Sequence, residues 1–219
     1  MTNQKLTYGK IAVYLIIFFT IWSIRELIIR PIFLSPMDDL TYGIVESSMK
    51  VLVWTVPAVL LIKYFQDDMW ISLREMFTNR LKWFKEAPLL LLVFFPVAEA
   101  VISQGGLVIS PYFNLMRLFE PIIFVGITEE LVFRGFLLNA FLKKMEPVKA
   151  VIASETLFAL IHVPIWIYRG FDVVTILVSL VSVFVIGALF AFSFIKTKNI
   201  WVPIVLHMAW NLFVIGLVR

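Results

Sequence analysis

Residues 171–195 read FDVVTILVSLVSVFVIGALFAFSFI, and past Asp172 the stretch carries no charge. A transmembrane helix needs about 20 mostly apolar residues, so this segment is predicted to span a membrane. Six further stretches of the same kind lie at 8–29, 43–65, 87–109, 116–142, 147–168 and 200–218. The fold class that follows is all-α. We expect a polytopic membrane bundle of about seven transmembrane helices, forming a single membrane domain over 1–219 with short loops.

Composition leads to the same class. Of the 219 residues, 61% are hydrophobic and 16% are charged, and the mean hydropathy is +0.95. A soluble domain is nearer half apolar and about a quarter charged. A core of this size could not hide so much apolar surface, so lipid takes the place of water around it. The net charge of +4 is no nucleic-acid signal, because the basic residues sit in short loops between apolar segments. The absence of cysteine excludes disulfides, thiolate catalysis, thiolate metal sites and lipidation on cysteine. The first apolar run lacks a small-residue cleavage site followed by a soluble domain, and is predicted to be a retained helix and not a signal peptide.

The first two spans are imperfect. Arg25 and Glu26 lie near one end of the first, and Glu46 and Lys50 near the start of the second. Between the second and third, residues 66–86 alternate aromatic and aliphatic side chains with Arg and Lys at helical spacing. That pattern predicts an amphipathic helix on the membrane surface. Orientation follows from Lys and Arg in the loops. With the N-terminus inside, the cytoplasmic segments hold Lys5, Lys10, Lys63, Arg74, Arg80, Lys82, Lys85, Lys143, Lys144, Lys149, Lys196 and Lys198. The outer segments hold Arg25, Arg30, Arg117, Arg169 and Arg219. The excess predicts a cytoplasmic N-terminus and an outer C-terminus in a multi-pass cell-membrane protein.

An ionisable group in hydrocarbon costs about 2.5–3.5 kcal/mol or more, so it usually faces a bundle interior and marks a function. Three clusters stand out. The fourth span reads GITEELVFRGF over 126–136. Glu130 and Arg134 are four apart, on one helix face and able to pair, while Glu129 points about 100° away. A buried Glu without a cationic partner suits general acid–base work, so Glu130 is read as anchored and Glu129 as reactive. In the fifth span Phe158 and His162 are four apart, and Phe158 is expected to pack on the imidazole. In the seventh, His207 and Asn211 share a face, and both can donate hydrogen bonds to one small target such as an oxyanion. By helix rise from the cytoplasmic ends, Glu129 and His162 lie about 20 and 21 Å in, Asn211 about 16 Å and His207 about 10 Å. The depths overlap enough for one shared site opening toward the cytoplasm. Glu99 and Glu155 are buried as well, with no role assigned.

Glu129, Glu130 and Arg134, then Phe158 and His162, then His207 and Asn211 fall in that order on successive membrane helices. The pattern resembles the CPBP family of intramembrane proteases, which includes the CaaX prenyl endopeptidases and the bacterial Abi or bacteriocin-processing proteins. The resemblance covers about 118–215 and adds nothing for the N-terminal 110 residues. It implies a helical bundle with a conical chamber open to the cytoplasm and the membrane. It also implies that Glu129 and His162 activate water, that His207 and Asn211 stabilise the oxyanion, and that Glu130 and Arg134 order the site. The expected partners are a peptide or protein substrate at the membrane and the lipid bilayer; the small chain with short loops looks like the bacterial members. The expected chemistry needs no cofactor. Three other readings stay open: a zinc protease with Glu129, His162 and His207 as ligands, a peptide-binding immunity factor or scaffold without catalysis, and a proton-coupled transporter. The last would more naturally show repeats or broken helices, and neither is read in the sequence.

Overall fold

The computed structural model describes residues 5–81, 98, 102 and 118–217. Apart from residues 98 and 102, the expected third span, with Glu99, lies outside the described residues. The rest is helical. We number the helices α1 (Tyr8–Leu34), α2 (Asp39–Tyr64), α3 (Leu73–Thr78), α4 (118–142), α5 (Pro147–Tyr168), α6 (Val173–Thr197) and α7 (Trp201–Val214). Helices α1, α2, α5 and α6 are each long and apolar enough to cross a membrane. A helical membrane bundle is what the hydropathy predicts; four of the seven expected spans qualify by length and composition among the described residues.

Short polar residues set the helix starts. An N-cap side chain accepts from the otherwise unpaired N–H groups of the first turn. Thr7 does this for α1, Asp38 for α2 and Asp172 for α6. Gly170, at φ 74°, supplies the left-handed turn between α5 and α6.

Helix α4 is the axis of the bundle. Every residue from Thr128 to Phe141 is buried, so this helix faces protein all round its circumference, which requires neighbours on every side. Helices α2, α5, α6 and α7 supply them. The packing is aromatic: Trp54 lies edge-on to Phe18 and Trp22, each at 4.8 Å between ring centres, and Phe133 of α4 closes on Trp54 at 6.0 Å. Helix α6 shows the opposite face of the same physics. Its Val174, Leu177, Val178, Val181 and Val185 are exposed, a surface that only lipid can cover without cost.

The charges that made the first two spans imperfect turn inward. Arg25, Glu26 and Glu46 are buried. Arg25 pairs with both carboxylates, and Arg30 Nε reaches Glu26 at 2.9 Å. These ions tie α1 to α2.

Two features depart from the expectation. Residues 66–81 do not form one amphipathic surface helix. A single turn at Gln66–Asp68 leads into α3, which is only six residues long. A reciprocal Ser72–Glu75 capping box starts α3, and Asn79 leaves helical geometry to end it. Met69, Ile71 and Met76 are buried, so the segment plugs the end of the bundle; 82–86 are outside the described residues. Second, α5 is broken. It runs as Pro147–Leu160 and then Val163–Tyr168, because Pro164 has no N–H to give to the preceding turn.

The plug is fastened at three points. The Asn139 amide donates to the Ile71 carbonyl and accepts from the Ile71 N–H, both at 2.9 Å. The Met76 carbonyl takes the Ile200 N–H at the start of α7, and Asn199 and Asn79 each donate to backbone of the other's segment. Outside the membrane, Leu6 N–H donates to Asp68 at 2.7 Å. That bond, aided by the charge of Lys144, holds the Asp68 carboxyl below its usual range. Asn139→Ala would leave two buried backbone groups without partners. We predict a loss of at least about 2 kcal/mol, read as a lower thermal midpoint in detergent micelles; an unchanged midpoint would contradict the clasp.

Candidate active site

The broken α5 builds the first half of the site. His162 N–H bonds the Ala159 carbonyl, three residues back, at 3.2 Å. That leaves the Phe158 carbonyl, four back, to accept from His162's own Nδ1 at 2.8 Å. A carbonyl can only accept, so the proton sits on Nδ1 and the neutral ring presents Nε2 as a lone pair. Phe158 meets the imidazole edge-on at 5.1 Å, as expected, and Trp166 stacks on it at 5.7 Å.

Helix α7 supplies the second imidazole. His207 Nδ1 lies 2.7 Å from Glu130 Oε1, the same oxygen that accepts from Arg134 Nη1 at 2.8 Å. Phe190 stacks on the ring at 5.3 Å. With Nδ1 held by a carboxylate, Nε2 of His207 also points away from its anchor.

Both Nε2 atoms aim at one place. Each lies 3.9 Å from Glu129 Oε2, a buried oxygen with no hydrogen-bond partner among the described residues. Glu129 Oε2 and the Nε2 atoms of both histidines therefore converge, and Glu129 and the Nδ1-protonated His162 present acceptors there. Such an arrangement calls for a small hydrogen-bond donor or a cation in the middle.

Glu129 is not without a cationic partner, which corrects the reason for singling it out. Lys50 of α2 reaches its other oxygen, Oε1, at 3.3 Å. Depth counting also overstated the separation of Glu129 from His207. Counted instead from the plug that fastens both helices, Glu129 stands ten residues above Asn139 and His207 seven above Ile200, about 15 and 10 Å. The long side chains close the remainder. Helices α4 and α7 approach tightly here, since a Cβ on Gly126 would come within 2.9 Å of the Met208 side chain.

Asn211 does not join this centre directly. Its Nδ2 donates to the Pro121 carbonyl at 2.8 Å, and its other amide N–H has no bond among the described residues. Arg134, in contrast, is more connected than the i,i+4 spacing foretold. It pairs with Glu130 and Glu155 and donates to the Gly187 carbonyl at 2.9 Å. Its guanidinium also lies 4.4 Å from the Phe158 ring centre. Glu155, with no role assigned from sequence, is thus the second counter-ion of Arg134. Lys50 was readable in principle: a lysine inside a span needs a carboxylate, and Glu129 was the motif carboxylate left unpaired.

Among the described residues, no three His, Asp or Glu side chains stand close enough to form a ready-made metal site. The Glu129–His162–His207 triad comes nearest. Donors 2.0–2.2 Å from a tetrahedral zinc are about 3.4 Å apart, so this triad is about half an ångström too wide, and it already faces an ammonium group.

One comparison with known proteins bears on the same half of the chain. Residues 111–213 match the family model of Rce1-like, type II CAAX prenyl endopeptidases. The chain is also 32% identical over 89 residues to the Bacillus subtilis (strain 168) protein named "Putative membrane peptidase YdiL". That alignment covers 41% of this chain and 32% of the relative, so the chain spans about a third of that relative's length. No solved structure matches.

The site depends on one missing side chain. A Cβ on Gly187 would lie 2.9 Å from Phe158 and 3.0 Å from Arg134, and would collide with the Glu155 carboxylate. Gly187→Ala is predicted to destabilise the protein by about 1–3 kcal/mol, the usual cost of overpacking. Thermal unfolding reads this; an unaltered midpoint would show that the site is looser than described.

Proposed function

We propose that this chain is an intramembrane endopeptidase of the CPBP/CAAX family, a reading supported by the match of residues 111–213 to the Rce1-like family model and by the likeness to the membrane peptidase relative. It hydrolyses a peptide bond with a water molecule held between Glu129 and His162. One observation carries the reading. Glu129 Oε2 is buried and unpartnered, and it faces two imidazole nitrogens whose rings are each fixed from the opposite side. A water there donates one hydrogen to the carboxylate and the other to His162.

The proposed reaction runs as follows. The water oxygen attacks the scissile carbonyl carbon while its proton passes to Glu129. The carbonyl oxygen takes up negative charge, and His207, as an imidazolium held by Glu130, donates to it through Nε2. The remaining N–H of Asn211 is the second donor. Glu129 then returns the proton to the departing amine as the C–N bond breaks. Glu130 and Arg134 fix the donor side. A positioned base contributes about 10²–10⁴-fold and an oxyanion donor about 10²–10³-fold.

A second reading keeps zinc on Glu129, His162 and His207, because an imidazole that ligates zinc also has its other nitrogen fixed by an acceptor. Zinc would polarise the carbonyl and lower the pKa of its water. The wide spacing and Lys50 favour the metal-free reading.

The proposed substrate is an unmodified peptide or protein segment at the cytoplasmic side of the membrane. A prenylated C-terminal tail, as the family description carries it, is the alternative. Terminal-fragment mass spectrometry of membrane peptides tests the activity in cells that carry the wild type, Glu129→Ala or His162→Ala. A set of new peptide termini is expected with the wild type alone. The same termini in all three would contradict catalysis and leave the immunity or scaffold reading.

A further inference from the structure

Outside the matched region, one buried group touches the proposed base. Lys50 lies on α2 and is 6% exposed. Its ammonium sits over two indoles, 5.3 Å from the Trp22 ring centre and 5.2 Å from Trp54. Its hydrogen bond goes to Glu129 Oε1, at 3.3 Å. Aromatic faces attract a cation without offering it a proton acceptor, so Glu129 is the one anion it bonds among the described residues.

The two oxygens of Glu129 are therefore divided. Oε1 is taken by Lys50, and Oε2 is left facing His162 and His207. A free carboxylate rotates about its last bond and has no reason to keep one oxygen for the histidines. Here Glu129 is hemmed in by Lys50 from α2, His162 from α5, His207 from α7 and Glu130 beside it on α4. Of these, Lys50 is the group whose hydrogen bond to Oε1 can select which oxygen turns away.

We propose that Lys50 is a positioning residue for the hydrolytic reaction: its ammonium, clamped between Trp22 and Trp54, pins Glu129 Oε1 and so presents Oε2 to the water. The active site then extends beyond residues 111–213, because its base is oriented from the N-terminal half. The inference rests on the proposed protease reading.

The test uses the full chain purified into proteoliposomes, with quenched-fluorescent peptides that carry an apolar C-terminal tail, with and without an S-farnesyl group. Lys50→Met is expected to lower kcat about 100-fold, the scale of misplacing a reacting group, with KM within about twofold because substrate contacts are untouched. Lys50→Arg, which restores the charge, is expected to recover most of the turnover. Lys50→Gln stands in if Lys50→Met fails to assemble, with the same loss expected. Wild-type turnover in the neutral variants would overturn the inference. So would equal losses in Lys50→Arg and Lys50→Met, since that pattern marks a packing role. Glu129→Gln run in parallel separates the levels: if the wild type cleaves no peptide, the protease reading falls; if Glu129→Gln cleaves like the wild type, Glu129 is not the base and Lys50 has nothing to position; if Glu129→Gln is dead while Lys50→Met is fully active, only the role of Lys50 falls.

Discussion

Arg134 is a guanidinium with no solvent exposure at the centre of an apolar bundle. An unpaired charge there is untenable, and removing one partner of a buried pair typically costs about 3–5 kcal/mol. The surrounding structure is arranged to meet this demand. Glu130 comes from the same helix, Glu155 from α5, and the Gly187 carbonyl from α6. Glu130 then shares the oxygen that holds Arg134 with His207 of α7. One cation thus links four helices, and the orientation of His207 is a consequence of how Arg134 is neutralised.

The same logic governs the other side of the centre. Glu129 has its own buried cation in Lys50, and that cation has its own aromatic cage. The protein brings a lysine and an arginine to a buried place, one on each side of the Glu129–His162–His207 centre. Electrostatic terms are largest where solvent is excluded, so these groups can do much of the orienting and charge stabilisation that hydrolysis requires. The break in α5 adds the last part. Pro164 forces a tighter turn, and the carbonyl so released fixes the His162 proton on Nδ1.

The fold class was legible because lipid leaves a signal that water does not: long runs such as 173–195 with no charge. The motif residues were legible because a charge in such a run demands an explanation. Glu130–Arg134 and Phe158–His162 followed from helical spacing alone. What spacing could not show was contact between helices distant in sequence. Lys50 meets Glu129 across 79 positions, and Glu155 meets Arg134 across 21. Asn211 shares a face with His207, yet its amide turns to Pro121, since side-chain direction within a face depends on which carbonyl is free. The amphipathic pattern of 66–86 could not show where 66–81 breaks, for a related reason. The buried end of a bundle and a membrane surface both reward one apolar face, and only the clasp through Asn139, Met76 and Asn199 distinguishes them.

The account holds that the chain's own lysine and arginine supply the positive charge at the reaction centre. The direct measurement is peptide turnover by the purified full chain in proteoliposomes, with bound metal quantified in the same sample. The account predicts undiminished turnover after chelator treatment, with bound metal far below one ion per chain. Turnover that disappears with the chelator and returns with one zinc per chain would contradict it.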